Sequence, residues 1–379
     1  MLTMKVTLNR TSFMQQLQTV QRAISTKTTM PILTGVKIDL SNDGLTLTGS
    51  NADISIESFL SSEDEKAQMN IENTGSIVLQ ARFFSEIIRR LPEDHVTLEV
   101  LENNQVEITS GKANFLVNGL DSESYPHLPA VDRQKEIQLS ADVLNKLISE
   151  TVFSVSQHES RPILTGVHFT LKNQRLLAVA TDSHRLSQRI IPLENDDEEF
   201  DIVIPGKSLT ELSRSLTDEE DTVQISIMEN QVLFETKTMK FYSRLLEGKY
   251  PDTDRLIPSS FNTEIEFAVP ALLSAIERAS LLSHESRNNI VRLQIANDNV
   301  VLHGNSPEVG KVEEDLKYEK VSGEPLEISF NPDYMKDALR AFGDTTIRIC
   351  FISAVRPFTL EPSEGQGDFL QLITPVRTN

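Results

Sequence analysis

The chain has 379 residues, of which 39% are hydrophobic and 24% charged, and its formal net charge is −20. This length allows two or three domains, and the composition is typical of a soluble globular protein without membrane-spanning segments. A single cysteine, Cys350, excludes an intramolecular disulfide and a multi-cysteine metal site, and it fits a reducing cytoplasm. No apolar segment follows the first residues MLTMKVTLNR, so we expect no signal peptide. The acidic balance argues against nucleic-acid binding, unless the charge is unevenly distributed.

In chain order, the sequence predicts six segments in which a short strand leads directly into an amphipathic helix. The segments are VTLNRTSFMQQL, IVLQARFFSEII, IQLSADVLNKLI, IVIPGKSLTELS, IEFAVPALLSAI and ISFNPDYMKDAL. On each helix, two apolar residues lie three or four positions apart, which predicts one buried face. These pairs are Phe13/Leu17, Phe84/Ile88, Leu144/Ile148, Leu209/Leu212, Leu272/Ile276 and Met335/Leu339.

The chain also repeats on a larger scale. PILTGV occurs at 31–36 and at 162–167, and HESR occurs at 158–161 and at 284–287, so the repeating unit has the size of a domain. Alternating strands follow each helix, and Glu-Asn and Asn-Gln pairs mark their hairpin turns. We predict an α+β fold with three tandem similar domains, at 1–130, 135–257 and 262–379. The joins fall near 129–135 and 257–262, and the acidic runs at 194–201 and 216–222 are interpreted as solvated loops.

The stretch ATDSHRLSQR, residues 180–189, contains the residue types of a hydrolase triad. Neighbouring residues of an extended segment point to opposite faces, so Asp182 and Ser183 are not expected to converge. No G-x-S-x-G elbow and no glycine-rich phosphate loop occurs, and the histidines lack metal-ligand spacing. We therefore predict no catalytic residue, no metal and no cofactor. A hydrolase and a scaffold without nucleic acid remain as alternatives.

The predicted helices are less acidic than the rest of the chain. Their formal charges total +3, counted over residues 11–24, 82–90, 142–150, 206–214, 270–279 and 332–341. If these helices face the same way, an acidic protein could present a mildly basic surface to phosphates. The alternative is that they are ordinary helix surfaces.

Five motifs together resemble the bacterial sliding clamps, the beta subunits of DNA polymerase III, over essentially the whole chain. They are the two PILTGV copies, TDSHRL at 181–186, YPDTDRLIP at 250–258, FNPDYMKDAL at 330–339 and ITPVR at 373–377. The resemblance implies a DNA-clamp fold in which each domain has two β-α-β-β-β halves. It further implies a ring-shaped head-to-tail homodimer, since three domains would form only half a ring.

In this family the ring encircles double-stranded DNA without sequence preference and confers processivity on the replicative polymerase. The resemblance therefore implies a non-catalytic, cytoplasmic protein that associates with the nucleoid during replication. Its partners would be the polymerase catalytic subunit, the clamp loader, and other polymerases and repair proteins, which dock through short linear peptides. A clamp that slides should make few and weak phosphate contacts, because each contact adds salt-dependent affinity.

The resemblance also assigns residues to three predicted surfaces. The partner-peptide groove would comprise Leu164, Thr181, Ser183, His184, Arg185, Leu186, Pro251, Arg255, Leu256, Pro357, Leu372, Ile373, Thr374, Pro375, Val376 and Arg377. The DNA-facing residues would be Arg22, Lys27, Arg82, Arg89, Arg90, His158, Arg161, Lys207 and Arg214. The dimer interface would contain Phe115, Val117, Leu281 and Leu282, which could instead be core residues.

The sequence departs from the family at two groove positions. Ser183 stands where the family often has glycine, and Thr374 stands where methionine is common. Two residues, Thr378 and Asn379, also extend past the arginine of the last motif. These differences are expected to reshape the groove slightly and to alter its preference among peptides.

Overall fold

A computed structural model of the chain describes residues 3–128, 135–193, 198–217, 221–284, 289–296, 299–365 and 367–377. The first third contains β1 Lys5–Asn9, α1 Arg10–Gln21, β2 Gly35–Leu40, β3 Gly44–Ser50, β4 Ile54–Ser61, β5 Asn70–Asn73, β6 Gly75–Gln80, α2 Ala81–Arg90, β7 His95–Val100, β8 Gln105–Ser110 and β9 Ala113–Asn118. The middle third contains β10 Lys135–Ser140, α3 Ala141–Thr151, β11 Gly166–Lys172, β12 Arg175–Thr181, β13 Arg185–Pro192, β14 Phe200–Pro205, α4 Gly206–Ser215, β15 Thr222–Ile227, β16 Gln231–Glu235 and β17 Met239–Arg244. The last third contains β18 Thr263–Ala268, α5 Val269–Ser283, β19 Val291–Ile295, β20 Val300–Ser306, β21 Gly310–Asp315, β22 Lys320–Gly323, β23 Leu326–Phe330, α6 Pro332–Phe342, β24 Thr346–Phe351, β25 Phe358–Pro362 and β26 Phe369–Ile373.

The predicted strand–helix segments are confirmed at all six places. Each of the helices α1 to α6 starts within two residues of the end of a strand. Side-chain caps favour this abrupt start: the Asn9 carboxamide oxygen accepts hydrogen bonds from the Thr11 and Ser12 amides, at 3.0 and 3.1 Å. All twelve residues of the predicted apolar pairs are buried. The α+β class and the β-α-β-β-β halves therefore follow the predicted plan, with β5 and β22 as additional short strands.

The described chain forms two compact units. The first comprises Met1–Leu144 with Lys207–Leu245, and the second comprises Asn145–Gly206 with Leu246–Asn379. In the first unit, one antiparallel sheet has the order β5-β1-β7-β8-β9 and another has the order β10-β15-β16-β17-β4-β3-β2-β6. In the second unit, the sheets have the orders β14-β11-β12-β13-β26-β25-β24-β18-β22 and β21-β20-β19-β23.

The two long sheets join strands from different predicted domains. In the first unit β4 pairs with β17, and in the second unit β13 pairs with β26. Grouping by contacts therefore differs from grouping by sequence repeats, because each long sheet continues from one repeat into the next. The predicted domain limits remain a prediction.

Several smaller predictions can be compared with the described residues. The hairpin between β7 and β8 turns at Asn103 and Asn104, both with positive φ, and that between β15 and β16 turns at 228–230, as predicted. Residues 257–262 contain no strand or helix. Some predictions fall outside the described residues. They concern the other join at 129–134, parts of the acidic runs at 194–197 and 218–220, and most of the second HESR copy within 285–288. Within the described ranges, no helix has the length and hydropathy needed to span a bilayer.

Candidate functional site

The stretch that resembles a hydrolase triad is a tight turn between β12 and β13. The Asp182 carboxylate oxygen Oδ1 accepts hydrogen bonds from the amides of His184 and Arg185, at 2.9 and 3.1 Å. Such a turn, in which an aspartate side chain caps the following amides, is a common use of this residue. The prediction of an extended segment at 182–184 was wrong, because these side-chain hydrogen bonds replace strand pairing. The Asp182 carboxylate is engaged in holding the backbone rather than in orienting a histidine.

Thr181 and Tyr250 hold the base of the same turn. The Thr181 hydroxyl donates to the carbonyl of Arg185 at 2.6 Å and accepts from the amide of Ser183 at 3.1 Å. The Thr181 amide in turn donates to the Tyr250 hydroxyl oxygen at 3.2 Å. Burial raises the pKa of Tyr250 above its ordinary value, so this hydroxyl stays protonated. These contacts bring the YPDTD segment, which contains the predicted groove residue Pro251, next to the turn.

Arg185 is the electrostatic centre of the turn. Its Nε atom lies 3.1 Å from Asp182 Oδ2, and its Nη1 atom lies 2.6 Å from Asp337 Oδ2 on α6. Its guanidinium carbon also lies 4.7 Å from the ring centroid of Tyr334 and 5.6 Å from that of Phe153. The His184 ring is stacked over Tyr334 at 6.3 Å. A planar guanidinium that contacts two carboxylates and an aromatic face is held in one orientation.

The sequence did not predict Tyr334, Asp337 or Phe153 as part of this site. The motif FNPDYMKDAL contains the first two. A helical i,i+3 spacing places Tyr334 and Asp337 on one face of α6, which was the available local signal. Phe153 carries no such signal, because it lies in a single turn of 3-10 helix, Val152–Ser154, after α3.

The C-terminal segment completes the site. In the pairing of β13 with β26, Leu186 lies opposite Leu372 and Arg185 lies opposite Ile373. The ladder continues past β26, since the Thr374 amide donates to the His184 carbonyl at 2.9 Å. The Val376 amide donates to the Ser329 carbonyl at 2.8 Å. The predicted tail residues are therefore fixed beside the turn by backbone hydrogen bonds.

The predicted aliphatic residues of the groove lie deeper than expected. Leu164, Leu186, Leu372 and Ile373 are all less than 5% exposed. Leu186 and Leu372 pack with Val179, and the partly buried side chains flanking this cluster are Leu177 and Leu370. Leu164 packs with Val203 and Tyr250. These four predicted residues form the floor of the site, so a ligand would contact the half-exposed residues around them.

Other predicted groove residues stand at the surface. Pro251 and Leu256 are exposed, and Arg255 forms an ion pair with Asp252 at 2.8 Å. Pro357 is half-buried and precedes Phe358, which lies opposite Ile373 in the pairing of β25 with β26. Pro375 is buried, and Arg377 is exposed.

The predicted DNA-facing residues are all exposed, but several have local acidic partners. Glu211 lies 2.9 Å from Arg214 and 3.6 Å from Arg22, and Glu86 lies 2.7 Å from Arg89 and 3.2 Å from Arg90. Lys27, His158 and Arg161 lie in loops, and Lys207 lies in the first turn of α4.

The predicted interface residues lie at exposed apolar places. Phe115 is 41% exposed on β9, which is the edge strand of its sheet, and Leu281 on α5 is 71% exposed. Val117 and Leu282 are partly buried. Phe83 was not among the predicted interface residues. It is 60% exposed and lines a cavity of ≈ 280 Å³ with Val117. Leu281 is therefore not an ordinary core residue.

The site contains no arrangement for nucleophilic chemistry. Asp182 is occupied by two backbone amides and by Arg185, and His184 is stacked on Tyr334. Within the described ranges, no three His, Cys, Asp or Glu side chains are grouped as metal ligands would be.

Solved structures with the same arrangement of strands and helices define the fold as that of a DNA clamp. A beta chain of DNA polymerase III from Streptococcus pneumoniae is similar with a TM-score of 0.96 and 49% identity, over 99% of this chain and 100% of that one. A sliding clamp from Bacillus subtilis is similar with a TM-score of 0.96 and 48% identity, over 100% of both chains. Three models of the DNA polymerase III beta subunit also match, for the N-terminal domain at 4–129, the central domain at 138–252 and the C-terminal domain at 254–377.

The chain belongs to the DNA polymerase III beta subunit family. A curated relative named "Beta sliding clamp" from Streptococcus pneumoniae is 50% identical over 373 residues, which are 98% of this chain and 99% of the relative. Another with the same name, from Bacillus subtilis, is 48% identical over 378 residues, which are 99% of this chain and 100% of the relative. The predicted family and the α+β clamp fold are thus confirmed, and the chain's role is that of a processivity clamp for the replicative polymerase, not of a catalytic enzyme.

The conformation of Ser183 generates a prediction about stability. Ser183 has a φ of 79°, a left-handed conformation that costs a residue with a Cβ atom about 1–2 kcal/mol. Glycine avoids this cost, but its greater conformational freedom in the unfolded chain lowers the stability of the fold by about 0.5–1 kcal/mol. We expect Ser183→Gly to raise the free energy of unfolding by about 0.5–1 kcal/mol in urea titrations.

Ser183→Ala is the matched control, because it removes the hydroxyl and keeps the Cβ atom. It should give no such gain. Equal stabilities of the glycine and alanine variants would contradict the assignment of strain to this position.

Proposed function

We propose that the chain acts as a ring-shaped head-to-tail homodimer that encircles duplex DNA and docks partner peptides at the turn around Arg185. The partners would be the polymerase catalytic subunit, the clamp loader, and other polymerases and repair proteins. The observation that carries the proposal is the convergence of the turn, the YPDTD segment, α6 and the C-terminal segment around one oriented arginine. The domain limits 1–130, 135–257 and 262–379, and a cytoplasmic, nucleoid-associated location, belong to the same proposal.

The chemistry around Arg185 suits a short linear peptide. Leu177 and Leu370 offer apolar contact above a buried leucine floor, and apolar anchors dominate such interfaces. Polar groups around the rim, such as His184, can fix the register of a peptide. The structure of a Pseudomonas aeruginosa sliding clamp, with 25% identity and a TM-score of 0.92 over 99% of this chain and 100% of that one, is described as bound to griselimycin. Ligand binding by a relative of the same fold supports a binding site in this chain.

Deletion of the C-terminal segment tests the groove. Removing residues 374–379 leaves β26 intact but removes the Thr374 amide that donates to His184 and the Val376 amide that donates to Ser329. Binding of a fluorescein-labelled polymerase peptide with leucine or aromatic anchors should weaken by about tenfold or more, which corresponds to about 1.4 kcal/mol. Fluorescence polarisation measures the affinity.

A deletion of residues 378–379 alone is the matched control, because these residues extend past the predicted groove. It should bind like the full chain. If the longer deletion also binds with full affinity while remaining folded by circular dichroism, the groove is not the docking site.

The proposed dimer interface would join the β9 edge of one protomer to α5 of its partner. Edge strands with exposed apolar residues are favourable places for pairing between chains, and β9 carries Phe115 and Leu116, 41% and 58% exposed. Leu281 offers a complementary apolar side chain, and Phe83 with its adjacent cavity extends the apolar area near Val117. Burial of each such side chain would contribute about 1.5–3 kcal/mol.

Truncation of both α5 leucines tests the dimer. We expect the wild type to sediment as a dimer at micromolar concentration and a Leu281→Ala/Leu282→Ala variant to dissociate at least about tenfold more readily, because hydrophobic contact is lost. Leu256→Ala is the control, since Leu256 is also half exposed but lies in the proposed groove. A monomeric wild type would remove the basis for a ring.

The exposed cations on helices and loops support the proposal that the ring encircles DNA. Glu211 and Glu86 each pair with two arginines, so a phosphate at these four arginines must compete with a carboxylate for the guanidinium group. Weak contacts of this kind favour sliding over tight binding, since every neutralised phosphate would add salt-dependent affinity. Retention on DNA would then depend on topology.

Linearisation of DNA tests this topological retention. Protein loaded onto nicked circular duplex should remain bound in gel filtration and should be released once a restriction enzyme linearises the circle. The uncut circle is the control at the same salt concentration. Protein that stays on DNA with free ends would show that contacts, and not encirclement, hold it.

A further inference from the structure

The turn at 181–185 has a second copy in the first unit. Ser50–Ile54 connects β3 to β4 just as Thr181–Arg185 connects β12 to β13, and the two turns are 131 positions apart, like the two PILTGV copies. The Asn51 side-chain oxygen accepts hydrogen bonds from the amides of Asp53 and Ile54, at 2.8 and 2.9 Å. Asp182 accepts from His184 and Arg185 in the same pattern.

The surroundings of the turn are repeated as well. The Arg244 amide donates to the Asp53 carbonyl at 3.0 Å, as the Thr374 amide donates to the His184 carbonyl in the second unit. β17 pairs with β4 as β26 pairs with β13. Tyr125 packs with Leu33 as Tyr250 packs with Leu164, and each tyrosine is followed by proline. The first unit thus contains a backbone copy of the proposed groove.

A cavity of ≈ 380 Å³ lies against this second turn. Its apolar lining includes Met30, Leu33, Pro126 and Tyr242, and its charged lining consists of Asp53 and Arg244. Met30 is 48% exposed, so the apolar wall is open to solvent. This size and mixture of apolar walls with few polar groups are typical of ligand sites.

The two charges of the cavity are not paired with each other. Within the described ranges, neither the Asp53 carboxylate nor the Arg244 guanidinium has an ion-pair partner, although both line one cavity. In the proposed groove, by contrast, Arg185 is paired with two carboxylates. The second cavity therefore offers one free charge of each sign beside an apolar wall, which complements a ligand with an apolar group between two opposite charges.

We propose that this cavity is a second peptide-binding site, which takes a short, turned peptide with one leucine-type side chain between an acidic and a basic residue. The acidic residue pairs with Arg244, the basic residue pairs with Asp53, and the apolar side chain contacts Met30 and Tyr242. The inference rests on the proposed groove as the template for peptide binding. It goes beyond that groove because the site is separate and its side chains select a different peptide.

Methyl NMR of methionine gives a direct readout of this cavity. The chain has eight methionines, and a Met30→Leu variant assigns the Met30 signal. Two blocked peptides, Gly-Lys-Leu-Glu-Gly and Gly-Glu-Leu-Lys-Gly, present the charges in both orders, and Gly-Gln-Leu-Gln-Gly is the neutral control. At least one charged peptide should shift the Met30 signal until it saturates, with a Kd below about 5 mM.

Charge reversal decides whether the cavity recognises the peptide. Arg244→Glu should weaken binding of the charged peptide by about three- to fivefold, as expected for one partly exposed ion pair. Arg255→Glu, a matched reversal in the proposed groove, should leave the Met30 response unchanged. An unmoved Met30 signal, or equal affinities for charged and neutral peptides, would overturn the proposal.

The deletion of residues 374–379 separates this proposal from that of the groove. If both sites exist, the deletion weakens binding of the polymerase peptide by about tenfold or more and leaves the Met30 response intact. If the groove fails as a docking site, the polymerase peptide is unaffected by the deletion while Met30 still responds. A Met30 response that disappears with the deletion would overturn the second site alone.

Discussion

The candidate site depends on one pairing of backbone strands, that of β13 with β26. This ladder places Leu186 opposite Leu372, where both are buried against Val179, and a slip of β26 by one residue would turn Leu372 away from this cluster. Because the register is fixed by burial, the ladder can continue beyond the strand into the hydrogen bond from Thr374 to His184. The position of the C-terminal segment is therefore a consequence of this apolar contact.

Local periodicity was sufficient to predict the strand–helix segments, because the apolar pairs Phe13/Leu17 and Met335/Leu339 reflect burial on one helix face. It was insufficient for the site. Tyr334 and Phe153 reach Arg185 only through the tertiary fold, and no local pattern relates residues so far apart in sequence. The extended prediction at 182–184 overlooked a signal that was present, since an aspartate can cap two following amides and so form a turn in place of a strand. The positive φ of Ser183 had an indirect signal, the glycine often found there in the family.

Under the proposed function, the exposed cations would let an acidic protein approach a polyanion without holding it tightly. Glu211 is shared by Arg22 and Arg214, and Glu86 by Arg89 and Arg90, so each group retains one net positive charge. A surface ion pair is worth little in water, which makes the exchange of carboxylate for phosphate nearly neutral in free energy. Under the proposed function, this balance would let phosphates attract the protein and still exchange readily as it moves.

The two copies of the turn share their backbone hydrogen bonds but differ in their charged side chains. Asn51 and Asp182 cap their turns equally well, because an amide oxygen and a carboxylate oxygen accept the same two hydrogen bonds. Only the carboxylate can also hold a cation, and Asp182 does so with Arg185. In the first unit Ile54 stands at the position that matches Arg185, and the cation comes instead from Arg244 at the end of β17, where no carboxylate neutralises it within the described ranges. One repeated backbone thus carries an arginine paired with two carboxylates in one unit, whereas in the other unit the arginine stands at a different position and has no ion-pair partner within the described ranges.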